Sequence, residues 1–208
     1  MRRQLLVTGV QIRIVPTGFA DSTAQVIRYY HLWYAPKGLE GAYVEWVFID
    51  GSYVQAHQHS AGAAGGYDEN IGKSRAGNTS KVHLAVNAYG LPEVFTMTGG
   101  HINDCTESPT LIEKIDAAQV LIADKGDDGQ VRRDKEEALG MSVIIPRKKN
   151  SIKGNKGFDW PLYKLRHLVE NAFARLKQYR VVATRYDKLT RSYESIASLA
   201  CAFLWLPM

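Results

Sequence analysis

Val44-Glu45-Trp46-Val47-Phe48-Ile49-Asp50-Gly51-Ser52 is the stretch on which the reading of the fold turns. Its β-branched and aromatic residues run in near-continuous hydrophobicity, and a strand is predicted over residues 44–57. An aspartate inside such a run costs several kcal/mol if it is buried without a partner. Asp50 therefore either caps a turn at the strand end, the commoner role of a lone aspartate there, or belongs to a site.

Downstream, residues 60–79 are rich in Gly, Ala and polar residues and are predicted as a loop. Residues 81–87 alternate Val82, Leu84 and Val86 with Lys81, His83 and Ala85, a second strand. Ala88-Tyr89-Gly90-Leu91-Pro92 makes a tight turn into a third strand over 93–98. A helix is predicted over 104–115, capped by Asp104 or Thr106, with Leu111, Ile112 and Ile115 on one face. A short apolar strand over 119–123 ends at Asp124, and a charged helix over 129–139 is closed by Gly140. Another strand follows over 141–146. A basic loop over 147–157 leads to a long helix over 161–178, and an apolar helix over 192–206 ends the chain. Upstream, only residues 25–34 read as a short aromatic helix. The order is β-β-β-α-β-α-β-α with a C-terminal helix, which predicts an α/β fold: a mixed sheet with helices on both faces, matching the RNase H-like topology.

Composition narrows the function classes. The 208 residues are 45% apolar and 23% charged, enough for one sizeable core and unlike a disordered or fibrous chain. Cys105 and Cys201 lie far apart, which argues against a disulfide framework and fits a reducing compartment. Gln11 and Arg13 interrupt the apolar stretch behind Met1-Arg2-Arg3 too early for a signal peptide, and the apolar run from Ile196 to Met208 is too short to span a bilayer. A cytoplasmic protein without a membrane partner is the expectation. Net charge is +5, but residues 146–191 carry 13 Lys and Arg against only Asp159, Glu170 and Asp187, a local net of +10. A basic third on an otherwise acidic body is the footprint of a polyanion binder, although a solvated basic face has the same composition.

Asp124, at a strand end, stands where α/β sheets bind ligands, although a turn aspartate looks the same in isolation. In the long helix, Tyr163, Arg166, Glu170 and Lys177 share one face, opposite Leu165, Leu168, Val169, Ala172 and Leu176. Alone this is an ordinary amphipathic helix with an ion-pair face. Two strand-end aspartates with a glutamate from a packed helix form the hard-oxygen donor set of two-metal phosphoryl-transfer sites.

Several segments are recognisable: Ile49-Asp50-Gly51-Ser52, Ala56-His57-Gln58-His59, residues 71–81, Ile122-Ala123-Asp124-Lys125-Gly126, residues 167–173 and residues 183–188. With the Tyr163/Arg166/Glu170/Lys177 spacing, they make the chain from about residue 43 onward resemble insertion-sequence transposases of the DDE superfamily, most closely the insertion sequence five family. The resemblance implies metal-dependent DNA strand cleavage and strand transfer. It implies Asp50, Asp124 and Glu170 as catalytic, metal-holding residues for Mg²⁺ or Mn²⁺, and Tyr163, Arg166 and Lys177 as DNA contacts. The implied partners are double-stranded transposon ends and target DNA, and a homo-oligomer is expected on that DNA, in the bacterial nucleoid. Residues 43–208 would be the catalytic domain and residues 1–42 a shortened, irregular remnant of a helical DNA-binding region. That short front leaves open a catalytically incompetent DNA-binding fragment, and a nuclease of the same fold is a further alternative. Two positions depart from the family pattern: Asp127 replaces a tyrosine and Asn87 an aspartate. His57 and His59 lie close in sequence, but neither Cys nor a third His is near, so loop or DNA contacts are expected of them rather than zinc. His101 and Asp104 leave the third strand near the expected site, with a cap the expected role of Asp104.

Overall fold

Strand β3 (Trp46–Ala56) is the axis of the sheet. In this computed structural model the described residues are 5–7, 10–12, 46–60, 62, 69–115, 118–127, 140–147 and 154–206. The expected helices over 25–34 and 129–139 and the central part of the basic loop lie outside them. Strands β1 (Leu5–Val7) and β2 (Val10–Ile12) pair antiparallel. β5 (Gly77–Val86) runs antiparallel to β3, and β6 (Pro92–Gly99) runs antiparallel to β5. On the other side of β3 lie β7 (Val120–Ile122) and then β8 (Ser142–Ile144), both parallel. The spatial order β6-β5-β3-β7-β8 is the predicted mixed α/β sheet.

The alternation of β3 divides its side chains between two cores. Phe48 and Val54 join Val82, Leu84 and Phe95 beneath α3 (His167–Leu176) and α5 (Thr190–Trp205). Val47 and Ile49 join Ala85, Val94 and Leu121 beneath Leu111 and Ile112 of α1 (Asp104–Glu113). Helices cover both faces, so Val47, Phe48 and Ile49 of β3 are buried on both sides, as the hydrophobic run there requires, whereas Tyr53 and Gln55 farther along are exposed.

Four local expectations are corrected. The stretch over 60–79 is not all loop: β4 (Gly72–Ser74) pairs with the first residues of β5, and Gly77, at φ +93°, closes the turn between them. The long helix is two, α2 (Trp160–Lys164) and α3. Around Leu165 and Arg166 the backbone bonds tighten from four residues to three, with Leu165 N–H bonding to Leu162 O and Arg166 N–H to Tyr163 O. The N-cap of α1 is Asn103 rather than Asp104 or Thr106, and it makes no side-chain capping bond. Finally, a short helix α4 (Arg180–Ala183) and strand β9 (Thr184–Arg185), unforeseen from periodicity, follow α3. β9 pairs parallel with the end of β3, and buried Arg185 anchors it by donating to the carbonyls of Glu69, Asp187 and Lys188 and to Ser80 Oγ.

Candidate active site

The parallel register pairs Phe48 with Ile122, so Asp50 and Asp124, each two residues farther on, come level on neighbouring chains. At this end of β7 Asp124 follows the strand, whereas Asp50 lies within β3, which runs on to Ala56, so the expected strand-end place holds for Asp124 and not for Asp50. Asp50 Oδ1 accepts the N–H of Gly51 at 2.9 Å. Glu170 reaches the same end from the first turn of α3, whose Val169, Ala172, Phe173 and Leu176 are buried against the sheet.

The Tyr163-Arg166-Glu170-Lys177 stripe faces this end of the sheet, and each basic or phenolic member has a partner there. Tyr163 Oη donates to Asp124 Oδ1 at 3.0 Å. Arg166 spans two carboxylates, donating through Nη1 to Asp50 Oδ2 at 3.2 Å and through Nη2 to Glu170 Oε1. Lys177 Nζ donates to Ser52 Oγ at 2.6 Å, one turn of the pleat beyond Asp50. Arg166 sits at the tightened turn between α2 and α3, which carries its guanidinium across the gap between strand and helix.

The electrostatics follow from that packing. Burial is the largest influence on Asp50 and holds its carboxyl above the ordinary value, with Arg166 opposing and the charges of Asp104 and Asp124 adding to the rise. Burial works against the charge of Arg166, but Asp50 and Glu170 outweigh it and raise its pKa. Burial and the bond to Asp124 raise the Tyr163 phenol, and burial lowers Lys177.

All three predicted carboxylates are thus reached by one helical stripe. Their oxygens are the hard donors that suit a small divalent cation. Among the described residues no three His, Cys, Asp or Glu side chains stand closed around one ion. Here the space between Asp50 and Glu170 is spanned by the Arg166 guanidinium, which pairs with both carboxylates.

Other candidates lie elsewhere. His57 stacks on Tyr186 at 4.6 Å between ring centroids and lies 5.0 Å from His59, an exposed aromatic group at the far end of β3. The His101 ring lies against Gly72 and Gly99 at the end of β4. Asp104 sits on the opposite face of the sheet from Asp50, paired with Lys81 and His83. Asn87 is fully buried and organises the β5–β6 turn: its Oδ1 accepts from Tyr89 and Leu91, and its Nδ2 donates to Glu93. An aspartate there would set two carboxylates face to face, so the departure at Asn87 suits the turn. Cys201 is buried, and burial pushes its thiol up to about 12. Sequence reasoning missed Ser52, whose signal was only its place two residues beyond Asp50.

Residues 45–205 match the family model of the transposase DDE domain. A Brucella ovis protein assigned as transposase of insertion sequence element IS6501 is 34% identical over 129 residues, covering 62% of this chain and 98% of that protein. A Burkholderia cepacia protein assigned as transposase of insertion sequence element IS402 is 25% identical over 141 residues, and the match spans 62% of this chain and 64% of its own length. The solved Mos1 strand transfer complex gives 11% identity and a TM-score of 0.35 over 93% of this chain and 62% of that one, too weak a likeness to bear on the fold. No described helix is long and apolar enough to cross a membrane.

Proposed function

Because the chain belongs to the transposase DDE domain family, we propose that Asp50, Asp124 and Glu170 are its catalytic carboxylates and that Mg²⁺ or Mn²⁺ is the ion they hold. The observation that carries this reading is the single stripe of α2 and α3 that engages all three, through Tyr163 at Asp124 and Arg166 at Asp50 and Glu170.

The reaction is phosphodiester cleavage at an element end by water, releasing a 3′ oxygen, then attack of that 3′-hydroxyl on a target phosphodiester. A bound divalent cation supplies neutralisation of phosphate charge and activation of the attacking hydroxyl. Asp50 from within β3 and Asp124 from just past the end of neighbouring β7 present oxygens on a rigid sheet, which fixes their spacing. Glu170 adds its carboxylate from the facing helix. Tyr163 orients the Asp124 carboxylate through its phenolic O–H. Arg166 and Lys177 are cations at the edge of the same cluster, placed to take phosphate oxygens in exchange for their present partners.

On the Tyr163/Arg166/Glu170/Lys177 spacing we place the chain in the insertion sequence five group, with residues 43–208 as its catalytic unit. Its partners would be transposon-end and target duplexes, engaged as a homo-oligomer in the bacterial nucleoid. The test is strand cleavage of terminal-repeat DNA by the chain and by Asp50→Asn, Asp124→Asn and Glu170→Gln. Each variant is expected to lose Mg²⁺- or Mn²⁺-dependent cutting while retaining DNA binding. Cutting that persists in any of them overturns the assignment, and a wild-type chain that binds but never cuts favours the incompetent-fragment reading.

A further inference from the structure

Behind Asp50, on the other face of β3, lies a charge network that the proposed reaction does not use. Gly51 stands opposite His83 in the β3–β5 register and Tyr53 opposite Lys81, so an ordinary side chain at 51 would lie beside His83 on that face. Instead, the Asp104 carboxylate occupies the place. A Cβ built on Gly51 would fall 2.0 Å from Asp104 Oδ1 and 2.9 Å from Lys81 Cε, so no side chain fits there while Asp104 stays.

Asp104 is held from two directions. Lys81 Nζ donates to its Oδ2 at 2.7 Å and lies 4.7 Å from the centre of the Tyr53 ring. His83 Nδ1 lies 3.2 Å from its Oδ1, and His83 Nε2 is 2.8 Å from Thr98 Oγ1. Lys81 and His83 are almost completely buried. A buried ammonium such as that of Lys81 is retained only with a partner, and burial alone would disfavour ionised Asp104. Asp104 nevertheless stays below the ordinary carboxylate range because His83 and Lys81 outweigh its burial. The carboxylate brings the first turn of α1 into close approach with Gly51, whose N–H bonds to the Asp50 carboxylate on the other face.

We propose that Asp104 is a positioning residue for Asp50. Seated in the gap that Gly51 leaves and clamped by Lys81 and His83, it fixes the peptide from which Asp50 presents its carboxylate to a divalent cation. This rests on the reading of Asp50 as a metal-holding residue. Partners of that kind, one shell removed from the ion, typically change metal affinity about 10- to 100-fold.

The test is Mn²⁺ binding by the full chain without DNA, followed by the electron paramagnetic resonance of the free ion, with a thermal midpoint recorded for every protein. Wild type and Asp50→Asn establish whether binding depends on Asp50; if it does not, the metal reading of the site fails first. Given that dependence, Asp104→Asn, which keeps the shape and removes the charge, should weaken binding about tenfold. Gly51→Ala should do the same by displacing the carboxylate. The combination Gly51→Ala with Asp104→Ala should be no worse than the poorer single variant, because the methyl group added at position 51 then has no carboxylate to displace and meets only the flexible end of Lys81. Asp104→Asn carries the test if Gly51→Ala fails to fold. Unchanged Mn²⁺ affinity with only lower thermal midpoints, or fully additive losses in the double variant, would overturn the proposal.

Discussion

Replacing Arg166 with glutamine should make the site bind a divalent cation more tightly in the absence of DNA. Its guanidinium bridges Asp50 and Glu170, so an incoming ion must displace a cation that already neutralises two of its ligands. At a separation of about 4 Å, opposite unit charges attract by about 4 kcal/mol at an effective dielectric of 20. The Glu170 side chain is 51% exposed, so its share falls to the few tenths of a kcal/mol typical of surface pairs. Asp50, at 25%, contributes most of the remainder, reduced by the hydration that the freed guanidinium regains. A net gain of about 1–2 kcal/mol follows, or roughly 5- to 30-fold in affinity. Mn²⁺ titration at fixed ionic strength measures it directly. Arg166→Lys should fall between wild type and Arg166→Gln, because an ammonium lacks the fork that spans both carboxylates. Unchanged or weaker Mn²⁺ binding by Arg166→Gln would refute the competition between guanidinium and ion.

Asp50→Asn should raise the thermal midpoint of the metal-free protein at neutral pH. Burial raises the folded-state pKa of Asp50 above its ordinary 3.8, so the folded state holds this proton more tightly and the carboxyl subtracts stability as pH rises through that window. The advantage of the variant should therefore close below pH 3.8, and a variant that melts lower than wild type at neutral pH would show that the Arg166 pair outweighs burial. Duplex binding by the full chain should weaken steeply with salt, by about 0.9 log units per log unit for each phosphate neutralised. Lys177→Ala should lower that slope by about one contact; a binding constant indifferent to salt would mean that the basic third is only a solvated face.

The sheet and two of its aspartates were legible because the physics behind them is local. A continuous apolar run announces a covered strand, and an aspartate that interrupts or follows it is conspicuous against it, as Asp50 and Asp124 are. The Tyr163 to Lys177 stripe was legible from helical spacing, although the tightened turn at Leu165 and Arg166 was not, since no Gly or Pro marks it. The Lys81-His83-Asp104 network was not legible, for a different reason. Alternation in residues 81–86 suggests a strand with one wet face, on which Lys81 and His83 would be ordinary solvated residues. With α1 covering that face, both are buried, and a buried ammonium demands a carboxylate that no local pattern supplies. The carboxylate comes from Asp104, 23 residues beyond Lys81, whose sequence context reads as a helix cap. Only Gly51 carries a trace of this arrangement, a glycine in the middle of a strand where close approach by another group is the usual reason for it. A glycine immediately after an aspartate inside a covered strand is thus a sign to look for a charge seated on the reverse face of the sheet.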